Sequence, residues 1–371
     1  MDGERPSKGQ LTSWQVFWLF TIATTSTVVF VAPSDTYQIL GYGGWQLILA
    51  SFIISVAATF LAVRLGRRFG GSTYVGCSRQ ALGPALGFVA SGLLASWYTL
   101  AAATDSFLLA RAMKVSLLTE TPSEAIFAVG ALSVIYAVWI GVERFAMFAE
   151  ISLLVLIPLV IFLVVAPLGW VEVGNLAPVF TFPIKAYGSP AFWLAAFMLR
   201  VHAFLYILYP SFVNEEKAKV ISLGAVTLAG TFFAITFAYP VMIFGMPVAK
   251  VLLWPFWATV RVARFSGFPV EKLLYFATVA WQLMGTISTS LLVYCASVCV
   301  AEMFHLKDYR VPLIALIPII IILAVAPRSY TDFHFYWVRV YYLLGWIATI
   351  IVPAITLLVA VVSGKRGNRG A

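Results

Sequence analysis

Two ionisable residues stand where this chain has least use for charge. Arg200 lies in "FMLRVHAFLYILYP" (197–210), at the midpoint of an apolar run that opens near Pro190 and closes at Pro210, and His202 follows two places later. Asp105 lies in "AAATDSFLLAR", inside another apolar run. A guanidinium stays charged in a protein, and an arginine at the centre of a bilayer costs about 2.5–3.5 kcal/mol on insertion scales. It therefore needs an anion, a polar cavity or a set of carbonyls. Asp105 is the nearest candidate in depth: on helices it lies about 9 Å below Arg111, and Arg200 about 15 Å from Pro190. The chemistry on offer is an ion pair at rest, or a site in which Arg200 receives a ligand carboxylate and Asp105 an ion, a proton or a ligand amine. The competing readings are a purely structural pair and an arginine that reaches a water-filled crevice or the lipid interface.

Hydroxyl groups cluster in two further runs. "TIATTSTVV" (21–29) holds Thr21, Thr24, Thr25, Ser26 and Thr27, and "QLMGTISTSLL" (282–292) holds Gly285, Thr286, Ser288 and Thr289. β-Branched hydroxyl residues lower helix propensity and can satisfy freed backbone groups, so a local break lined by hydroxyls is predicted over Thr24–Val28. Close helix packing through small residues is the alternative in both runs. Oxygens of the second run could hold a cation, but the run 146–167 offers only Ser152 as a further hydroxyl, and no metal site is expected. There is no HExxH pair, no GxSxG turn and no Walker loop, and the three histidines are scattered. An enzyme, an ATP-driven pump and a cofactor are not expected. Cys77, Cys295 and Cys299 form no disulfide framework.

The elements that carry these residues follow from composition. Of 371 residues 62% are hydrophobic and 11% charged, against about 25% charged in soluble domains. Crossing the hydrocarbon core takes about 20 apolar residues as a helix. The fold class is thus all-α polytopic membrane protein, with spans at about 14–32, 45–63, 86–111, 123–140, 146–167, 190–209, 220–243, 270–300, 311–327 and 337–362. The first run, from Trp14, is read as a retained helix rather than a signal peptide. The spans fill residues 1–371 as a single domain. Runs 1 and 6 are both polar at mid-depth. They correspond in a five-plus-five inverted repeat, whose discontinuous helices meet at a midplane site; the repeats would be about 14–167 and 190–362.

With both termini inside, fourteen lysines and arginines fall on the inner side and nine on the outer, which favours cytoplasmic termini. The net charge of +9 suits a membrane with anionic lipid, and no nucleic-acid patch is visible. Two outer connections are long, 168–189 and 244–269. The second contains "VAKVLLWPFWATVRVARF", whose aromatic and basic residues suit either a helix lying in the interface or a lid over a site.

The chain resembles the spore germination protein family, the permease-like B subunits of nutrient germinant receptors. The resemblance is carried by "LLTETPSEAIF" (117–127), "YAVWIGVERFAMFAEI" (136–151), "NLAPVF" (175–180), "WPFWATVRVARFSGFPVEKL" (254–273) and "MFHLKDYR" (303–310), in order and spacing over essentially the whole chain. It implies kinship with amino acid–polyamine–organocation transporters, and hence ten helices in two inverted repeats. It implies a sensor of a small nutrient, often an amino acid, in the inner spore membrane. The partners implied are a larger A subunit and a lipoprotein C subunit. By position, the family's helix 1 substrate segment matches Ser26, Thr27 and Val28, its helix 3 acid matches Asp105, and its polar helix 8 stretch matches Thr286 to Thr289. Run 6 departs from the pattern: "MLRVHAF" stands where the family has a glycine that lets backbone approach a ligand. The candidate ligand-binding set is Thr24, Thr25, Ser26, Thr27, Asp105, Arg200, His202, Thr286, Ser288 and Thr289. A symporter of amino acid and cation, and a non-binding scaffold subunit, are the rival functions.

Overall fold

The computed structural model describes residues 10–28, 32–178, 181–262 and 271–367, and over them the chain is almost wholly helical. The first crossing is made in two pieces, α1 (Ser13–Val28) and α2 (Ala32–Leu40). The chain then turns at Gly41, whose φ of +55° only glycine adopts readily, and returns as α3 (Trp45–Arg68). The turn is fixed by its contacts. Gln38 in α2 donates to the Lys250 carbonyl and Gln46 in α3 to that of Thr181, whereas Arg68 at the other end of α3 reaches the Ala360 and Lys365 carbonyls.

A short α4 (Tyr74–Leu82) precedes α5 (Pro84–Ser116), α6 (Ser123–Trp139) and α7 (Val142–Val165). Beyond α8 (Ile184–Tyr187), the sixth crossing is also broken, into α9 (Pro190–Ala195) and α10 (Val201–Leu208). Then come α11 (Ala218–Ala249), α12 (Pro255–Val262), α13 (Glu271–Met303) and α14 (Arg310–Val325). After the short α15 (Tyr330–Asp332) and a π-helical turn, the last crossing runs through α16 (Val338–Trp346), a second π-helical turn and α17 (Val352–Val362). Among the described residues, six helical stretches are long and apolar enough to cross a bilayer alone, and α6 and α14 are shorter apolar helices. With the two broken crossings, the described residues make ten, as the hydrophobic runs predict.

Leu11 and Gly367, near the two ends of the described residues, lie on one face, as an even number of crossings between them requires. Leu11 pairs with the strand-like segment after α10, through Leu11 N–H to the Ser211 carbonyl (2.6 Å) and Val213 N–H to the Leu11 carbonyl (3.3 Å). Gly367 N–H donates to the Arg68 carbonyl on the same face.

Two expectations are corrected. Helix α1 is assigned without interruption through Thr24–Val28, so the predicted break does not fall there; the chain leaves α1 after Val28, and 29–31 lie outside the described residues. Intrahelical bonds explain part of this: the Thr21 hydroxyl donates to the Phe17 carbonyl and that of Ser26 to the Ala23 carbonyl, which a helix tolerates. Second, the first crossing extends beyond 32, because α2 belongs to it. The aromatic residues around α12 pack on the protein: Trp254, Phe256 and Trp257 are buried, with Trp254 edge-on to Tyr330 and Trp257 edge-on to Trp281. The rest of that quoted motif, 263–270, lies outside the described residues.

The site depends on how α5 and α13 meet. They run side by side along most of their length, and Gly285 lets them approach: a Cβ there would stand 2.2 Å from Leu109 Cδ2. That contact sets the register that brings Asp105 level with Ser288.

Candidate functional site: a buried arginine between two broken helices

Residues 196–200 separate α9 from α10, and Arg200 is the N-cap of α10 with φ −105° and ψ 16°. A cation at a helix N-terminus opposes the helix dipole, so compensation must come from elsewhere. Nη1 and Nη2 of Arg200 donate to Oδ1 (3.3 Å) and Oδ2 (2.6 Å) of Asp105 on α5. Nη2 also faces the Ser288 hydroxyl on α13 (2.7 Å) and the Ala23 carbonyl on α1 (3.2 Å), and Nη1 reaches the Tyr341 hydroxyl on α16 (3.4 Å). Five helical segments thus converge on one guanidinium. Ser288 Oγ lies 2.8 Å from Asp105 Oδ2 and 3.0 Å from the Ala23 carbonyl, so its single proton serves one of them while its lone pair accepts from Arg200.

The pair is sealed: the side chain of Arg200 is 0% exposed and that of Asp105 4%. Burying either charge alone would be prohibitive, and the paired arrangement is tolerated because the partners are bidentate and Nη1 and Nη2 donate further hydrogen bonds to Ser288, Ala23 and Tyr341. Aromatic walls exclude water. Trp97 stacks on Tyr341 with ring centroids 5.9 Å apart, and Phe197 from the break of the sixth crossing packs edge-on against Trp97. Towards the face opposite the termini, Phe107, two residues beyond Asp105 in α5, stacks on Phe333 at 4.2 Å.

The other sequence candidates divide. Asp105, Arg200 and Ser288 come together. His202 does not join them: it points to α16–α17, with Nε2 3.0 Å from the Thr349 hydroxyl and its ring edge-on to Phe197. Thr286 and Thr289 open instead on a separate crevice with Ser106 and Gln282, walled by α6 and α14. Thr25 borders an apolar groove with Trp18, Leu153 and Phe232. Thr24 is buried, and its hydroxyl has no hydrogen-bond partner among the described residues. Ser26 contributes its carbonyl, which accepts from the Trp281 indole at 2.7 Å; the side chain of Thr27 lies outside the described residues.

Three participants escaped sequence reading. The Ala23 carbonyl is backbone and carries no residue-type signal. Tyr341 sits in "YWVRVYY", which reads as an interfacial aromatic belt, and Trp97 reads as ordinary core. A second polar contact, also missed, lies nearer the face opposite the termini. Asp35 of α2 bonds to the His334 ring, and the Tyr342 hydroxyl donates to its other oxygen at 3.2 Å. The hydrogen bond to Asp35 raises the His334 pKa against partial desolvation and the charge of Arg339. Among the described residues no cluster of three or more metal-ligating side chains is found.

Comparison with known proteins agrees with this architecture. A family model described as "Spore germination protein" matches residues 10–333. The spore germination protein YndE of Bacillus subtilis (strain 168) is 25% identical over 340 residues, covering 90% of this chain and 91% of its own. Among solved structures, the nucleobase–cation symport transporter Mhp1, closed on bromovinylhydantoin, superposes with a TM-score of 0.64 at 14% identity, covering 98% of this chain and 96% of its own. MhsT in complex with L-phenylalanine gives 0.62 at 15%, over 92% and 97%. A manganese transporter of Eremococcus coleocola gives 0.61 at 14%, over 93% and 78%. At these identities the likeness establishes the fold: that of multi-pass membrane transporters.

Proposed function

Because this chain belongs to the spore germination protein family, we propose that it is the B subunit of a nutrient germinant receptor, and that its ligand is a zwitterionic amino acid that inserts between Arg200 and Asp105. The observation that carries the reading is the buried pair itself, set where two broken crossings meet α5, α13 and α16. A free carboxylate ligand would take Arg200 and strand Asp105; a free amine would do the reverse. Either leaves an uncompensated charge in a water-excluded site, which costs several kcal/mol. A zwitterion leaves none. Its carboxylate would replace Asp105 on the guanidinium, and its ammonium would meet Asp105, Ser288 and the Ala23 carbonyl. The two charges that now fasten α5 to α10 would then be separated by the ligand, and that separation is the signal passed to the A subunit and the lipoprotein C subunit. MhsT, which shares the fold, was solved with an amino acid. In this reading the protein sits in the inner spore membrane with both termini cytoplasmic.

The test is a thermal-shift screen on the purified protein with L-alanine, propionate and ethylamine. L-Alanine or another zwitterionic amino acid should raise the unfolding midpoint, and the singly charged analogues should not. Spores carrying Arg200→Ala should lose the nutrient response, with Arg200→Lys as the variant that keeps the charge. A full response in Arg200→Ala would overturn the reading. Two rivals each have an observation behind them. The transporter fold favours an amino acid/cation symporter, which uptake of labelled amino acid into proteoliposomes would establish. A guanidinium that already satisfies Asp105 favours a scaffold subunit, which would support germination in Asp105→Ala and wild type alike.

A further inference from the structure

On the face opposite the termini, the far end of α5, the start of α6 and the segment after α14 enclose a cup of about 270 Å³. Arg111, Lys114 and Arg328 line it, with one carboxylate, Glu124. None of the three cations has an ion-pair partner within 4.0 Å among the described residues. The Lys114 ammonium is held at the rim by the Ser123 hydroxyl, 3.3 Å away. The apolar part of the lining includes Phe107, Phe127, Ala324 and Pro327. Three positive groups round one concavity repel one another, and a surface designed only for solvation would disperse them or pair them with acids. Ion pairs do form elsewhere on the molecule, as between Arg310 and Asp308.

We propose that this cup is a second binding site, for an oxyanion head on a short apolar body, such as a small carboxylic acid. Arginines recognise a carboxylate with paired donors, Lys114 adds a point charge, and the phenyl rings of Phe107 and Phe127 receive the apolar body. The volume suits a molecule of a few heavy atoms rather than a drug-sized ligand. Phe107 gives the site a consequence. It lines the cup and its ring also stacks on Phe333, so an occupant touches a ring pair two residues along α5 from Asp105. The inference stands whether or not any ligand enters the Arg200–Asp105 site.

The same head could come from a soluble acid or from a lipid phosphate, and one experiment separates them. The full-length protein is placed in nanodiscs of phosphatidylcholine alone, and sodium butyrate is titrated at fixed ionic strength, with chloride as balance and butylamine as control. Saturable stabilisation by butyrate, absent with butylamine, is expected. In Arg111→Gln/Arg328→Gln the apparent affinity should fall about tenfold or more, while Lys185→Ala, an exposed lysine elsewhere on that face, leaves it unchanged. If butyrate is inert but phosphatidylglycerol stabilises the wild type and not the double variant, the oxyanion is a lipid phosphate and the site stands. If the double variant responds to butyrate and to phosphatidylglycerol as the wild type does, or if neither has an effect, the proposal is overturned. Should the double variant fold poorly, Lys114→Gln supplies the same comparison.

Discussion

Arg200 and Asp105 meet through two parallel hydrogen bonds, Nη1 to Oδ1 and Nη2 to Oδ2, although 95 positions separate them in the chain. The pair closes the gap left by the break of the sixth crossing and ties α10 to α5. Its removal should therefore act unequally. Asp105→Ala or Arg200→Ala alone leaves a buried charge and should cost about 3–5 kcal/mol. Arg200→Met with Asp105→Leu removes both charges and should recover most of that. Thermal unfolding of the three variants in one detergent measures the difference; singles as stable as the wild type would mean that water reaches the pair.

Gly285 faces Leu109 across the α5–α13 interface. In an exposed helix Gly→Ala is worth about 1 kcal/mol of stabilisation. Here the new Cβ would stand 2.2 Å from Leu109 Cδ2, so Gly285→Ala should destabilise by about 1–3 kcal/mol instead. Adding Leu109→Ala should relieve part of the loss. A stabilised Gly285→Ala would show that the helices part without cost.

The Asp35–His334 contact fastens α2 to the start of the last crossing, and it should depend on pH. The pKa of His334 is raised from its ordinary value of 6.5, chiefly by the hydrogen bond to Asp35. A histidine raised on folding contributes its full stability below its unfolded value and loses it as pH rises through the folded value. The unfolding midpoint of the wild type should therefore fall from about pH 6.5 upward relative to His334→Gln, whose profile should be flatter. Parallel profiles would exclude the contact as a source of stability.

Trp281 donates to the Ser26 carbonyl, near the end of α1 where carbonyls lose their intrahelical partners. Trp281→Phe keeps most of the packing and removes the donor, leaving a buried acceptor unmet. The expected cost is about 1–3 kcal/mol, with faster hydrogen exchange confined to the end of α1. Exchange unchanged there would mean another donor takes the place of the indole.

Much of the architecture was legible because bilayer thickness converts directly into the length of an apolar run. Ten runs give ten crossings, and Pro190 and Pro210 bracket the sixth before any coordinate is known. Arg200 and Asp105 were legible for a related reason: charge in hydrocarbon is expensive, so its presence is a signal in itself. The break of the sixth crossing was expected on a different ground: runs 1 and 6 are both polar at mid-depth and correspond in an inverted repeat.

What the sequence could not decide is rotation. Ser288 stands 200° round α13 from Thr286 and 100° from Thr289 at 3.6 residues per turn, so the three cannot all face one site. Which of them meets Asp105 is settled by the contact of Gly285 with Leu109, a pairing of distant residues that no local pattern encodes. His202, two residues beyond Arg200, is turned away to Thr349 by the same arithmetic. The Ala23 carbonyl belongs to the backbone, so residue types are silent about it. Tyr341 is one aromatic residue among several in its stretch until α16 is docked. The sequence by itself determined that a buried charge must be compensated; packing alone determined which groups of α1, α5, α13 and α16 do so, because side-chain direction on a helix has meaning only relative to its neighbours.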